Sequence, residues 1–118
     1  MRILIVEDES VIAFLLERQL KILGCEVVAK VIFGEEAEPA CSRHQPDLVL
    51  MDIRLAGAMD GLAAARAILT KGMTRIAFMT AYGTERIKQE IAEIRHVAYL
   101  EKPISMEQLR SLVNNLRF

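Results

Sequence analysis

Five residues spread along the chain could do chemistry together if the fold gathered them: Glu7, Asp8, Asp52, Thr80 and Lys102. Each closes or follows a short apolar run. "ILIV" precedes Glu7-Asp8-Glu9, "LVLM" precedes Asp52, "IAFM" precedes Thr80, and "VAYLE" precedes Lys102-Pro103. Carboxylates sharing one pocket repel, each pair at ~4 Å costing about 4 kcal/mol at an effective dielectric near 20. Protonation, a neighbouring base or a bound cation relieves that cost. Lys102 supplies one positive charge and leaves the set net negative. Oxygen donors without His or Cys suit a hard ion, Mg²⁺ above all with Mn²⁺ as a substitute. A carboxylate beside such an ion becomes an adequate nucleophile toward a phosphoryl group. One acid at a strand end is usually a solvated loop residue, but four strand ends carrying acid, hydroxyl or amine point to a site.

Positioning these residues requires the apolar runs to be strands with helices between them. After Ile3–Val6, residues Ile12, Leu15, Leu16, Leu20 and Leu23 recur at helical spacing until Gly24, with Ser10 near the start. "EVVAKVI" reads as a more polar edge strand, and residues 34–44 as a poorer helix that Pro39 kinks or shortens. "DLVLMD" is a third strand; the helix after it starts near Asp60 and ends at Gly72. "RIAFMT" is the fourth strand, followed by a helix over 84–95 with Ile87, Ile91 and Ile94 on one face. "VAYLEKP" is a short fifth strand. The last helix, 105–118, opens with a capping box from Ser105 to Gln108. Strands apolar on both faces, alternating with helices, predict an α/β fold with a parallel sheet covered on both sides. In such sheets ligands sit beyond the carboxyl ends of the strands, where the five residues lie.

The totals are those of one domain over residues 1–118. Fifteen basic against sixteen acidic residues give a net charge of -1, so neither direct nucleic-acid binding nor a membrane surface is expected. Cys25 and Cys41 have no metal-ligand spacing and read as thiols in a reducing cytoplasm. No signal peptide or membrane-length apolar run is present, and a cytoplasmic location is expected.

The ordered set Glu7-Asp8, Asp52, "MDG" at 59–61, Thr80-Ala81 and "YLEKP" at 99–103 resembles the response-regulator receiver domain of two-component signalling, over essentially the whole chain. The resemblance implies a doubly wound, flavodoxin-like (βα)5 fold with five parallel strands in the order 2-1-3-4-5. It implies that Asp52 accepts a phosphoryl group from a sensor histidine kinase or phosphotransfer protein. Asp8, Asp52 and the Arg54 backbone carbonyl would ligate Mg²⁺, with Glu7 acting through water. Lys102 and Thr80 would contact the phosphoryl oxygens, and Tyr99 would be an aromatic switch coupled to Thr80. A cis Lys102–Pro103 bond is implied as well, as is signalling to a downstream protein through the helix 4–strand 5–helix 5 face, with homodimerisation on phosphorylation. Such a domain is not an enzyme beyond its own phosphorylation and dephosphorylation. The alternative is a degenerate receiver that dimerises or docks without phosphorylation.

Several positions depart from the family pattern. The loop from Asp52 to Asp60 is one residue longer than usual and has Ala56 where Pro is common. Arg95-His96 replaces a small pair, and Ile104 replaces a frequent aromatic. Arg54 and Tyr82, each two positions beyond a site residue, are large and expected to hinder water at the phosphoryl group. His44 and His96 stand apart from the acids.

Overall fold

The computed structural model describes residues 1–117; Phe118, the end of the expected last helix, lies outside the described residues. Five strands, β1 (Arg2–Val6), β2 (Glu26–Val31), β3 (Leu48–Asp52), β4 (Arg75–Thr80) and β5 (Ala98–Glu101), form one parallel sheet in the order β2-β1-β3-β4-β5. The helices are α1 (Ser10–Ile22), α2 (Ala37–His44), α3 (Gly61–Leu69), α4 (Glu85–Ala92) and α5 (Met106–Leu116).

Side chains of a strand alternate between faces, so the continuous apolar runs build two cores. Leu4, Val6, Val49, Met51, Ile76 and Phe78 point to the face covered by α2, α3 and α4. Ile3, Ile5, Leu48, Leu50, Ala77 and Met79 point to the face covered by α1 and α5. Each fully buried aliphatic side chain contributes roughly 1.5–3 kcal/mol. β1, β3 and β4 are therefore internal, whereas β2, at the sheet edge, has no fully buried position, and its Glu26 and Lys30 are exposed.

The helices depart from the sequence reading in three places. Leu15, expected inward, is 53% exposed, because the buried stripe of α1 is Ala13, Leu16 and Leu20 and Leu15 lies across the helix from it. The helix expected over 34–44 is shortened, as one of the two outcomes expected around Pro39, but not kinked. A 3-10 turn at Gly34–Glu36 delays the helix to Ala37, which places Pro39 in the first turn, where no intrahelical donor is needed. α3 ends at Leu69, before Gly72. α4 ends at Ala92, and Ile94 is buried from the turn beyond it. The Ser105–Gln108 capping box is present: the Gln108 amide donates to the Ser105 hydroxyl and the Ser105 amide to the Gln108 side chain. Cys25 and Cys41 are buried and free. Among the described residues no helix is long and apolar enough to cross a membrane.

Candidate functional site

The sheet order reverses direction between β1 and β3, and the carboxyl ends of these two strands open a crevice. Glu7 and Asp8 leave β1 there, and Asp52 closes β3. One carboxylate oxygen from each of the three lies within 4.8 Å of the others, a spacing at which the three could hold a metal ion. Glu7 and Asp52 are buried, while Asp8 is half-buried at the mouth. Glu7 is buried because the sheet outlasts the apolar run: its amide still donates to the Val31 carbonyl of β2 at 3.0 Å.

Lys102 reaches the cluster from the end of β5. Its Nζ donates to Glu7 Oε1 at 2.5 Å and to Asp52 Oδ2 at 3.0 Å. Its backbone amide donates to the Thr80 carbonyl at 2.8 Å, and the following peptide bond, Lys102–Pro103, is cis. Burial works against the ammonium, but its bonds to Glu7 and Asp52 outweigh it and hold the Lys102 pKa above its ordinary value. Glu7 is raised as well, away from the ordinary carboxylate range. Burial, then the adjacent Asp52, push its pKa up to about 7 despite Lys102. One ammonium does not neutralise this pocket, and a hard cation is the third remedy. Three carboxylates with no soft donor beside them fit such an ion.

The rest of the expected set is placed around this cluster. Thr80 is buried one position beyond Met79, the β4 partner of Asp52, and its hydroxyl accepts from the Tyr82 amide at 3.1 Å. The Arg54 amide donates to Asp52 Oδ1 at 3.3 Å, which begins the loop out of β3. The exposed Arg54 guanidinium then stacks on the Tyr82 ring, 4.8 Å from its centroid, as a cation–π pair. Tyr99 is half-buried, and its hydroxyl donates to Glu101 at 3.4 Å beside the Gly83 backbone. Glu9 precedes α1 and its amide donates to Glu7 Oε2 at 3.2 Å. His96 lies elsewhere, tilted against Phe78 with Nδ1 2.7 Å from the Ile94 carbonyl.

Two positioning features escape a residue-by-residue reading. A Cβ on Gly61 would collide with the Asp52 carbonyl, so α3 starts against the backbone of β3 only because position 61 has no side chain. The "DG" at 60–61 was the available signal, with Asp60 Oδ1 capping α3 through the Ala63 amide at 2.9 Å. Glu35, on the turn after β2, accepts from the Met59 amide at 2.8 Å and left no local signal.

Comparison with known proteins converges on one family. The family model for the response regulator receiver domain matches residues 3–114. The transcriptional regulatory protein PdtaR of Mycobacterium tuberculosis is 35% identical over 108 residues, covering 92% of this chain and 52% of that relative. The chain thus spans about half the length of that relative. The signal receiver domain of a modulated diguanylate cyclase from Desulfovibrio desulfuricans is similar at a TM-score of 0.90 and 31% identity, over 98% of this chain and 91% of that one. The receiver domain of the sensor histidine kinase PA1611 from Pseudomonas aeruginosa, solved with a magnesium ion coordinated in its active site cleft, gives 0.87 and 29% over 98% and 95%.

Proposed function

The chain belongs to the response regulator receiver domain family, and from that premise we propose that Asp52 accepts a phosphoryl group from a sensor histidine kinase or a phosphotransfer protein. Residues 1–118 act as one receiver, and the phosphorylated form signals to a downstream protein through the face built by α4, β5 and α5. The observation that carries this reading is three carboxylates within 4.8 Å at a strand-order reversal, with an ammonium bonded to two of them.

An Asp52 carboxylate oxygen forms the new bond to phosphorus while the donor's nitrogen–phosphorus bond breaks, its electron pair leaving on the imidazole. Phosphoryl transfer asks the protein mainly for positioning and charge stabilisation. Asp52 is already fixed through both oxygens, by the Arg54 amide and by Lys102. Asp8, Asp52 and the Arg54 carbonyl, with Glu7 through water, would hold Mg²⁺, which when bound would supply charge to screen the incoming phosphoryl oxygens. Lys102 transfers its bond from the Asp52 carboxylate to a phosphoryl oxygen, and the Thr80 hydroxyl turns from the Tyr82 amide toward another. That turn frees space behind Thr80 for Tyr99, coupling the site to the α4–β5–α5 face. The outer residues there, including Arg86, Lys88, Gln89, Glu107, Arg110 and Ser111, are exposed and polar, which suits a partner that binds and leaves.

Incubation of wild type and Asp52→Asn with Mg²⁺ and a small phosphodonor tests the reading. Label on wild type alone supports it. No label on wild type favours a receiver fold that docks without phosphorylation.

A further inference from the structure

The loop joining β3 to α3 carries Arg54 past the acid cluster, and its two ends are well held. The Ile53 amide donates to the Met79 carbonyl at 3.0 Å, and the Gly61 amide to the Ile53 carbonyl at 2.8 Å. The middle of the loop lacks a proline to fix its backbone and includes Gly57 at φ +95. What holds it comes from another element, the turn after β2. The Met59 amide donates to Glu35 Oε1 at 2.8 Å. A Cβ on Gly57 would lie 3.1 Å from Glu35 Oε2 and 3.2 Å from the Phe33 ring. A Cβ on Gly34 would collide with the Met59 carbonyl, so the two backbones touch. The turn is itself stiff, since the Phe33 amide donates to Glu36 Oε1 at 3.1 Å and the Glu36 amide returns to the Phe33 carbonyl at 3.0 Å.

We infer that Glu35 is a positioning residue for the metal and phosphoryl site, setting the path of the β3–α3 loop and through it the Arg54 carbonyl and guanidinium. Glu35 is exposed and touches neither the acids nor Lys102. Its influence runs through the Met59 amide to a short loop whose other end is bonded to Asp52. The inference rests on the receiver reading for its consequence, Mg²⁺ affinity, and on geometry alone for the loop.

Glu35→Gln keeps a carbonyl oxygen for the Met59 amide and Glu35→Ala removes it, while Gly34→Ala pushes the loop away from the other side. Calorimetric titration with Mg²⁺ should give wild-type affinity for E35Q. E35A and G34A should bind about 3- to 10-fold more weakly, below the loss typical of a partner bonded directly to a metal ligand. Amide exchange measured without metal should be faster at Arg54 and Leu55 in E35A and unchanged in E35Q. Where wild type binds Mg²⁺, equal affinity in E35A overturns the inference, as does an E35Q that loses as much as E35A. If wild type binds no Mg²⁺, the receiver reading fails. The exchange comparison then decides for Glu35 alone, and unchanged exchange at Arg54 and Leu55 overturns its role.

Discussion

Glu7→Gln should stabilise the metal-free protein at alkaline pH and leave it nearly unchanged in mild acid. The Glu7 side chain is fully buried against Asp52, with the Lys102 ammonium at 2.5 Å and the Glu9 amide at 3.2 Å only partly balancing it. Burial, then the neighbouring carboxylate, raise its pKa from 4.5 to about 7. Between those values the folded chain holds a proton that the unfolded chain releases, so stability falls as pH rises through the window. At about 1.4 kcal/mol per pKa unit, the full shift costs about 3 kcal/mol once both states are ionised. That is a large share of the roughly 5–15 kcal/mol that holds a domain folded. Gln cannot ionise, yet it keeps a carbonyl oxygen for Lys102. Urea unfolding in chelator, followed by circular dichroism near pH 5 and pH 8, reads the difference. E7Q should exceed wild type by under about 1 kcal/mol at the lower pH and by about 3 kcal/mol at the higher. Saturating Mg²⁺, which favours the ionised acids, should narrow the gap. Stability gaps equal at both pH values would refute the reasoning, as would a wild type that gains stability across this range while E7Q does not.

Three further outcomes follow from single contacts. Replacing both Arg54 and Tyr82 by Ala removes the stacked pair beside Asp52. Loss of label from the phosphorylated protein should then quicken by about tenfold, the equivalent of about 1.4 kcal/mol off the barrier, and an unchanged rate would remove the pair from the account. Gly83→Ala would put a methyl group against the Tyr99 hydroxyl, a flexible side-chain end that can swing away. Its ring resonances should shift in NMR spectra, and unshifted ones would show that the ring does not rest where the structure has it. Leu50→Ala, at a fully buried position on β3, should cost about 2–5 kcal/mol in chemical unfolding, against within about 0.5 kcal/mol for the exposed Val11→Ala.

Much of the fold was legible because its signals are local. The unbroken runs at Ile3–Val6 and Leu48–Met51 could only be strands buried on both faces, and the structure gives each residue parity its own core. That Glu7, Asp8, Asp52 and Lys102 come together was legible for a related reason, since parallel strands deliver their carboxyl ends to one edge. Which acid lies deepest was not legible. Glu7 sits at the bottom because β1 pairs one residue beyond its apolar run and because Lys102, far along the chain, meets it there. Leu15 was misplaced because apolar character alone put it with Leu16, although at about 100° per residue it lies well off the Ala13, Leu16 and Leu20 stripe. Glu35 was invisible for a third reason: its bond to the Met59 amide joins two loops, where no periodicity announces a contact.

The central claim is that the phosphoryl group goes to Asp52 and that the acid cluster needs a divalent ion to receive it. Intact-mass and peptide mapping after incubation with a small phosphodonor, quenched in acid, tests both parts at once. The account predicts a single adduct in Mg²⁺, mapped to the peptide containing Asp52 and absent both in chelator and in Asp52→Asn. An adduct mapped elsewhere, one that persists in Asp52→Asn, or none on wild type in Mg²⁺ would contradict it.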